Sequence, residues 1–537
     1  MLHRSSCFRF STLCGQLIRS LLLWCGCWLY WTPFAHGQSL FSDTTTDQSA
    51  ASRYVALEVS NDSLFHLASN IVEFTPFFNT RFVYSQRINA RINQVEKKGI
   101  VNVPYRLRDM RVYDSTLLFV GSFAVTDSGT NQSRDVGFFA ITRMNGDTVA
   151  LKVVDANQNA FAYQLVSVVK LNQAYYVVGT KTPRTADANG FRPNAILVIR
   201  YNAFGNETAR YEFKSQLPGI SLTAGSIDRA AFNRLVIGGS QAVLSSGPSP
   251  TFASEGLVLM ITPSGKLIHQ YKAPAAYRLS PLRLKATSDG GVVMVGSHRR
   301  PITQQGGTVR LLERGYVGKL NPELNLQWDL VTGIEAPYTY LSDLAPLPNG
   351  GYLAVGSFDS NQFRPSRGWM LMLNANGSVA WQRQFQYLSI SSGMVTSRFE
   401  RVAITPNNQF VVAGWGEFSA SGNSGQNAWI IKTDSMGCLV PGCAVGLREL
   451  TTEPVYLKAW PIPVSEVLNV LVKSDKPLHG AQFRLTDLMG RTQRQWEGSY
   501  EELQYQIAVH DLPAGMYLLQ VEKDGQLLAS EKVMVAR

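Results

Sequence analysis

The chain has 537 residues, 45% of them hydrophobic, and a formal net charge of +11. That length exceeds a usual single domain and can bury a large core. The positive excess is not gathered into a run or onto one helix, which excludes the usual nucleic-acid signature.

Residues 1–37 read as an export signal. Basic residues end at Arg19, an apolar stretch runs from Leu21 to Tyr30, and Ala35-His36-Gly37 offers small residues before Gln38. The apolar stretch is short for a membrane span of about 20 residues, and no later segment is apolar enough to cross a bilayer. Residues 38–53 are polar and aperiodic, the pattern of a flexible mature N-terminus. Cys7, Cys14, Cys25 and Cys27 leave with the signal, so only Cys438 and Cys443 remain. In an oxidising compartment such a pair predicts one disulfide. A zinc site would need about four ligands, and no histidine lies near, so no metal is expected.

From Tyr54 the chain repeats. An apolar run ends in glycine, usually followed by Ser or Thr, at Gly121, Gly179, Gly239, Gly296, Gly356 and Gly414. Taking Gly238 in the third copy, the steps are 58, 59, 58, 60 and 58 residues, which marks an internal repeat. A weaker first copy reads Leu64 to Ser69, with Ala68 in place of the glycine. A second apolar run follows each glycine after a longer loop. It closes in a turn such as Asn145-Gly146, Ser264-Gly265 or Asn376-Gly377, and another strand-like stretch comes next. Each unit is therefore a four-stranded antiparallel meander. Several strands are apolar throughout, as strands covered on both faces are. The glycines fit points where backbones approach closely. The fold class is all-β: a β-propeller of about seven four-stranded blades over 54–445, a linker at 446–455, and a small immunoglobulin-like β-sandwich over 456–537.

That last segment carries ordered motifs. Pro461-Ile462-Pro463 precedes a strand. Leu485-Thr486-Asp487-Leu488-Met489-Gly490-Arg491 fits L-x-D-x-x-G-[KR]. Leu512-Pro513-Ala514-Gly515-Met516-Tyr517 fits L-x-x-G-x-Y. The segment resembles the type A C-terminal sorting domain of the Bacteroidetes type IX secretion system. It departs from that family at Ile462-Pro463, where Asn-Pro is usual. The resemblance implies signal-directed passage of the inner membrane. It also implies recognition of 456–537 by the type IX machinery, and a secreted or outer-membrane surface location.

The repeats carry no catalytic motif of the metalloprotease, nucleophile-elbow, P-loop or calcium-loop kind. Whether the protein is an enzyme stays open, and no cofactor is expected. The long loops after the repeat glycines are basic in three units, through Lys181, Arg184 and Arg192, through His298, Arg299, Arg300, Arg310 and Arg314, and through Arg364 and Arg367. Equivalent loops of a ring share a rim, where arginines favour carboxylate, sulfate or phosphate groups. The ligand-binding candidates are Arg184, His298, Arg299, Arg300, Arg310, Arg364 and Arg367. The functional reading is a binding or adhesion module for a glycan or protein ligand. The alternative is a secreted hydrolase or lyase acting on polysaccharide in the propeller mouth.

Overall fold

A computed structural model of the protein describes residues 41–44, 50–61, 64–73, 79–88, 96–99, 105–126, 132–145, 147–155, 160–187, 192–217, 219–243, 253–274, 279, 282–303, 309–333, 338–359, 366–387, 394–420, 423–439, 455–474, 481–487, 491–498, 502–523 and 526–536. The proposed signal 1–37, residues 446–454 of the linker, Arg364, Cys443 and Gly490 lie outside them. Every long element among the described residues is a β-strand.

Seven four-stranded antiparallel meanders form the blades. In blade 2 the strands are Tyr105–Tyr113, Thr116–Thr126, Ser133–Arg143 and Thr148–Val153, paired in that order. Blades 1, 3, 4, 5 and 6 repeat the plan over 50–99, 161–213, 220–272, 283–332 and 338–385. Blade 7 takes Met394–Ile404, Phe410–Ala420 and Asn423–Thr433 from the end of the ring. Its outermost strand comes from the other end. Phe41–Thr44 pairs antiparallel with the third strand, Phe41 opposite Lys432 and Thr44 opposite Trp429. The segment 38–53, read as flexible from its polarity, thus contains the strand that completes the last blade. It also contains the start of blade 1 at Ala50.

The apolar runs without alternation have a direct cause. In blade 2, Leu117 and Phe119 enter a core shared with Ala56 and Ala68 of blade 1. The residues between them, Leu118 and Val120, enter a core shared with Val177 and Leu197 of blade 3. Both faces of the strand are interior, so both sets of alternate positions are apolar. The same arrangement continues around the ring. It closes where Tyr54, Leu57, Phe65 and Leu67 of blade 1 meet Val411, Ala413, Ala428 and Ile430 of blade 7.

The repeat glycine is fixed by a bulge in the innermost strand beside it. In blade 2, Leu107 pairs with Gly121 and Asp109 with Val120, which leaves Arg108 as the extra residue. Blades 3, 4, 6 and 7 carry the same irregularity opposite Gly179, Gly239, Gly356 and Gly414. The bulge drives a carbonyl oxygen under the glycine Cα. A Cβ would lie 2.1 Å from Arg106 O at Gly121, and 1.9 Å from Tyr340 O at Gly356 and from Arg398 O at Gly414. The register corrects two details read from spacing. Gly239, not Gly238, is the equivalent in blade 4, since it pairs with Ala224 just before the bulge. In blade 1, Ser69 and not Ala68 takes the glycine's place, opposite Tyr54.

In blades 1 and 3 the residue after this position ties one blade to the next. Thr180 Oγ1 accepts from Ala224 N of blade 4 at 3.1 Å. Asn70, in the corresponding place of blade 1, exchanges two hydrogen bonds of 3.0 Å with the Leu107 backbone of blade 2.

Residues 455–535 form two further sheets. One contains Val455–Trp460, Val467–Ser474 and Glu502–Ala508. The other contains Thr492–Gly498, Ala481–Asp487, Gly515–Lys523 and Gln526–Val535. They share a core of Leu468, Val470, Phe483, Leu485, Leu519 and Val521, a small β-sandwich. The sequence motifs have local work. Asp487 Oδ1 accepts from Arg491 N at 3.0 Å and its Oδ2 from Arg491 Nε at 2.8 Å, which staples the turn. Leu512 and Tyr517 are buried, and the Tyr517 hydroxyl donates to Pro513 O at 2.7 Å. Gly515 has open space around it.

Gly356→Ala is expected to lower stability by at least about 2 kcal/mol, because its methyl group overpacks a rigid backbone contact. Gly515→Ala should stay within about 0.5 kcal/mol of the parent. Denaturant midpoints of the two variants check this, and equal midpoints would dismiss the bulge constraint.

Candidate functional site

The seven innermost strands surround an axial channel. The first residue after each bulge forms a belt: Ala56, Asp109, Ser167, Ser226, Asp343 and Arg401, with Arg283 at the matching place in blade 5, opposite Val295. Several belt residues bind the next blade. Asp109 Oδ2 accepts from Ser167 Oγ at 2.7 Å and Val168 N at 3.3 Å. Ser226 Oγ accepts from Leu284 N at 3.0 Å, and Asp343 Oδ2 from Val402 N at 3.2 Å. These bonds satisfy polar groups that a propeller's narrow centre hides from water.

Arginine breaks the regularity of the belt. Arg401 is 7% exposed. It donates from Nη1 to Glu400 O at 2.7 Å and from Nη2 to Arg108 O at 2.8 Å, so it spans from blade 7 to blade 2. Blade 1, between them, offers only Ala56 at that level. A cavity of about 250 Å³ opens beside it, lined by Arg53, Arg108, Arg283, Arg401 and Glu400. Four guanidiniums thus face one carboxylate, and Glu400 Oε1 already accepts from Trp415 Nε1 at 3.3 Å. Nearer the mouth, Arg398 lies 5.2 Å from the Tyr340 ring centre and 5.1 Å from that of Trp415, cation–π distances that hold it in place.

The crowding is visible in the titration of the groups. Burial pushes Arg401 down to about 10, and Arg283 adds to the shift. Burial also lowers Arg108, helped by Arg53 and Arg106. Burial works to raise Asp109, but Arg111, Arg401 and Arg283 outweigh it and hold its carboxyl below the usual range. On the other side of the belt, Arg111 donates to Glu58 Oε1 at 2.9 Å and lies 3.5 Å from Asp109 Oδ2. Burial raises Glu58 against the pull of Arg111.

Of the rim residues chosen from sequence, His298, Arg299, Arg300 and Arg310 share one hairpin of blade 5, while Arg184 and Arg367 belong to blades 3 and 6. Arg184 follows the second strand of blade 3 and donates to Gln132 Oε1 at 3.0 Å. His298, Arg299 and Arg300 were expected in a loop. They lie in a strand, Val292–Thr303, because blade 5 extends its hairpin beyond the glycine, and they pair with Arg314, Glu313 and Leu312. Arg299 forms a 3.2 Å ion pair with Glu313. Arg310 is likewise in a strand, opposite Ile302. Arg367 is exposed and donates to Gln384 Oε1 at 3.3 Å. Cys438 is buried at the end of blade 7, its amide held by Asp434 Oδ1 at 2.8 Å. Sequence reading missed Arg53, Arg108, Arg283 and Arg401. Their only sequence signal is a place on the inner strand, which needs the bulge register to be recognised. Among the described residues no group of three or more His, Cys, Asp or Glu is arranged to hold a metal ion, and no helix is long and apolar enough to cross a membrane.

Fold and site together define a seven-bladed β-propeller with an arginine-lined axial cavity, followed by a β-sandwich. Residues 458–536 match the family described as "Secretion system C-terminal sorting domain". The chain is therefore exported by the type IX secretion system, to the cell surface or the medium. Comparison with curated proteins returned no match. Among solved structures, a PL25 ulvan lyase bound to an oligosaccharide is 10% identical, with 74% of this chain and 96% of that one covered and a TM-score of 0.45. A GH93 α-L-arabinofuranosidase of Fusarium graminearum is 11% identical, with coverage of 60% and 93% and a TM-score of 0.37. PorZ, a surface component of the type IX secretion system of Porphyromonas gingivalis, is 11% identical, with coverage of 90% and 81% and a TM-score of 0.23.

Asp109 supplies a pH test. Its folded pKa is depressed, so its contribution is present above the unfolded value near 4 and is lost as pH falls through the folded value. Asp109→Asn should cost about 3 kcal/mol at pH 7, because it leaves buried arginines short of a partner. The gap to the parent should narrow below about pH 4. Denaturation midpoints from pH 7 to pH 3 measure this, and parallel curves would refute it.

Proposed function

We propose that this exported propeller is a binding module for acidic ligands, a carboxylated or sulfated glycan or an acidic protein surface. The ligand meets the face bordered by the hairpins between second and third strands. One observation carries the reading: the inner strands bring Arg53, Arg106, Arg108 and Arg398 to that half of the channel, with Glu400 on the cavity lining and Asp135 near Arg108. Arg53 and Arg106 are exposed, and no group among the described residues pairs with their side chains. Planar guanidiniums offer forked donors to carboxylate and sulfate oxygens. The rim adds Arg299 and Arg367 on neighbouring blades, with Arg299 partly neutralised by Glu313. The proposed signal peptide and the proposed Cys438–Cys443 disulfide fit a protein built for the outside of the cell.

The test is retention of the protein on arrays of neutral, carboxylated and sulfated glycans. Selective retention on acidic glycans is expected, weakened at least about tenfold by Arg53→Glu with Arg106→Glu. The pair Arg299→Glu and Arg300→Glu should weaken it less. Retention that ignores glycan charge, or that survives the first pair, would reject the proposal.

A further inference from the structure

We propose that the channel cavity is an oxyanion site that takes one carboxylate, sulfate or phosphate group, held by Arg108, Arg283 and Arg401. The inference stands on the cavity itself and does not require the ligand to be a glycan.

Three observations support it. The first is an excess of buried donors. Arg401 is fixed by two backbone carbonyls, yet its buried Nε has no hydrogen-bond partner, and neither has the buried Nε of Arg108. Among the described residues no carboxylate or carbonyl accepts from the side chains of Arg108 or Arg283. Buried Nε atoms without a partner among the described residues also occur at Arg200, Arg383 and Arg398, but Arg108 and Arg401 place two such donors on the lining of one cavity, where an acceptor from outside the chain can reach them.

The second is charge. Arg283 acts unfavourably on both Arg108 and Arg401. Nearby carboxylates offset this only in part: Asp343, Asp109 and Glu400 favour charged Arg401 and Asp135 favours charged Arg108, yet burial and the neighbouring arginines outweigh them. Like charges in a poorly hydrated space repel, and an anion between them converts that repulsion into charge-assisted hydrogen bonds.

The third is size. At about 250 Å³ the cavity is smaller than pockets of roughly 300–1,000 Å³ that enclose drug-sized ligands. It suits a single anionic group or one sugar acid, and is too small for a polysaccharide chain. Because the donors come from blades 2, 5 and 7, the anion would link inner strands that share no sheet.

The experiment is calorimetric titration of the full chain with sodium phosphate, sodium sulfate and sodium glucuronate, in chloride buffer at constant ionic strength. Saturable one-to-one binding is expected for at least one of them. Binding to phosphate and sulfate alone identifies a free inorganic ion as the occupant. Binding to glucuronate identifies the carboxylate of a larger molecule. Arg283→Gln and Arg108→Gln should each weaken binding at least tenfold. Both should fold, because among the described residues neither side chain has a hydrogen-bond partner. Arg108→Gln should melt in chloride at or above the parent, since it removes a repelling charge; Arg283→Gln relieves repulsion on Arg108 and Arg401 but loses its pull on Asp109, so its melting temperature should stay close to the parent's. No saturable heat with any of the three anions would overturn the site. So would unchanged affinity in both variants, or a stabilisation by sulfate equal in parent and variants, which is a bulk salt effect. Failure here with acidic-glycan retention intact leaves the surface reading standing; loss of retention with anion binding intact rejects that reading alone.

Discussion

A carbonyl pressed against a glycine Cα sets the geometry of this ring. The inner strand must bulge to turn its next residue toward the following blade, and the bulge pushes a peptide oxygen to where a neighbouring Cβ would stand. Glycine allows the second strand to lie over it in blades 2, 3, 4, 6 and 7, and Ser69 takes the place in blade 1. The belt that results is where Asp109, Ser226 and Asp343 reach the next blade's amides. A rule acting on one residue per blade thereby fixes spacing, tilt and the polar interior together.

This explains why much of the fold was legible in the sequence. The glycine recurs because the steric demand recurs. The strands read as apolar on both faces because Leu117 and Leu118 belong to different interfaces. The hydroxyl after the glycine has different partners in different blades: Thr180 meets the next blade, whereas Ser357 bonds Asp359 of its own strand. Spacing alone misplaced the glycine of blade 4 by one residue, since Gly238 and Gly239 are equivalent until pairing is known.

The channel was not legible for a related reason. Arg108, Arg283 and Arg401 lie 118 to 293 residues from one another along the chain, and nothing local distinguishes them from surface arginines until the ring brings their strands together. The rim arginines looked like a cluster because they share a position in the repeat. The structure spreads them over blades 3, 5 and 6 and pairs Arg299 with Glu313. Equivalent positions at the rim are far apart, whereas equivalent positions at the axis converge. The sorting-domain motifs were readable because each is a short-range device: Asp487 staples a turn four residues long, and Tyr517 reaches back to Pro513.

The pairing of Phe41–Thr44 with Asn423–Thr433 bears on the order of assembly. Blades 1 to 6 each close from neighbouring stretches of chain, so they can zip up locally and quickly. The last blade cannot. It takes its outermost strand from the opposite end of the chain, at the cost of one long loop closure. Blades 1 and 7 share their core without that strand, so what Phe41–Thr44 adds is cover for the open edge of Asn423–Thr433, an edge that would otherwise be free to pair with another copy.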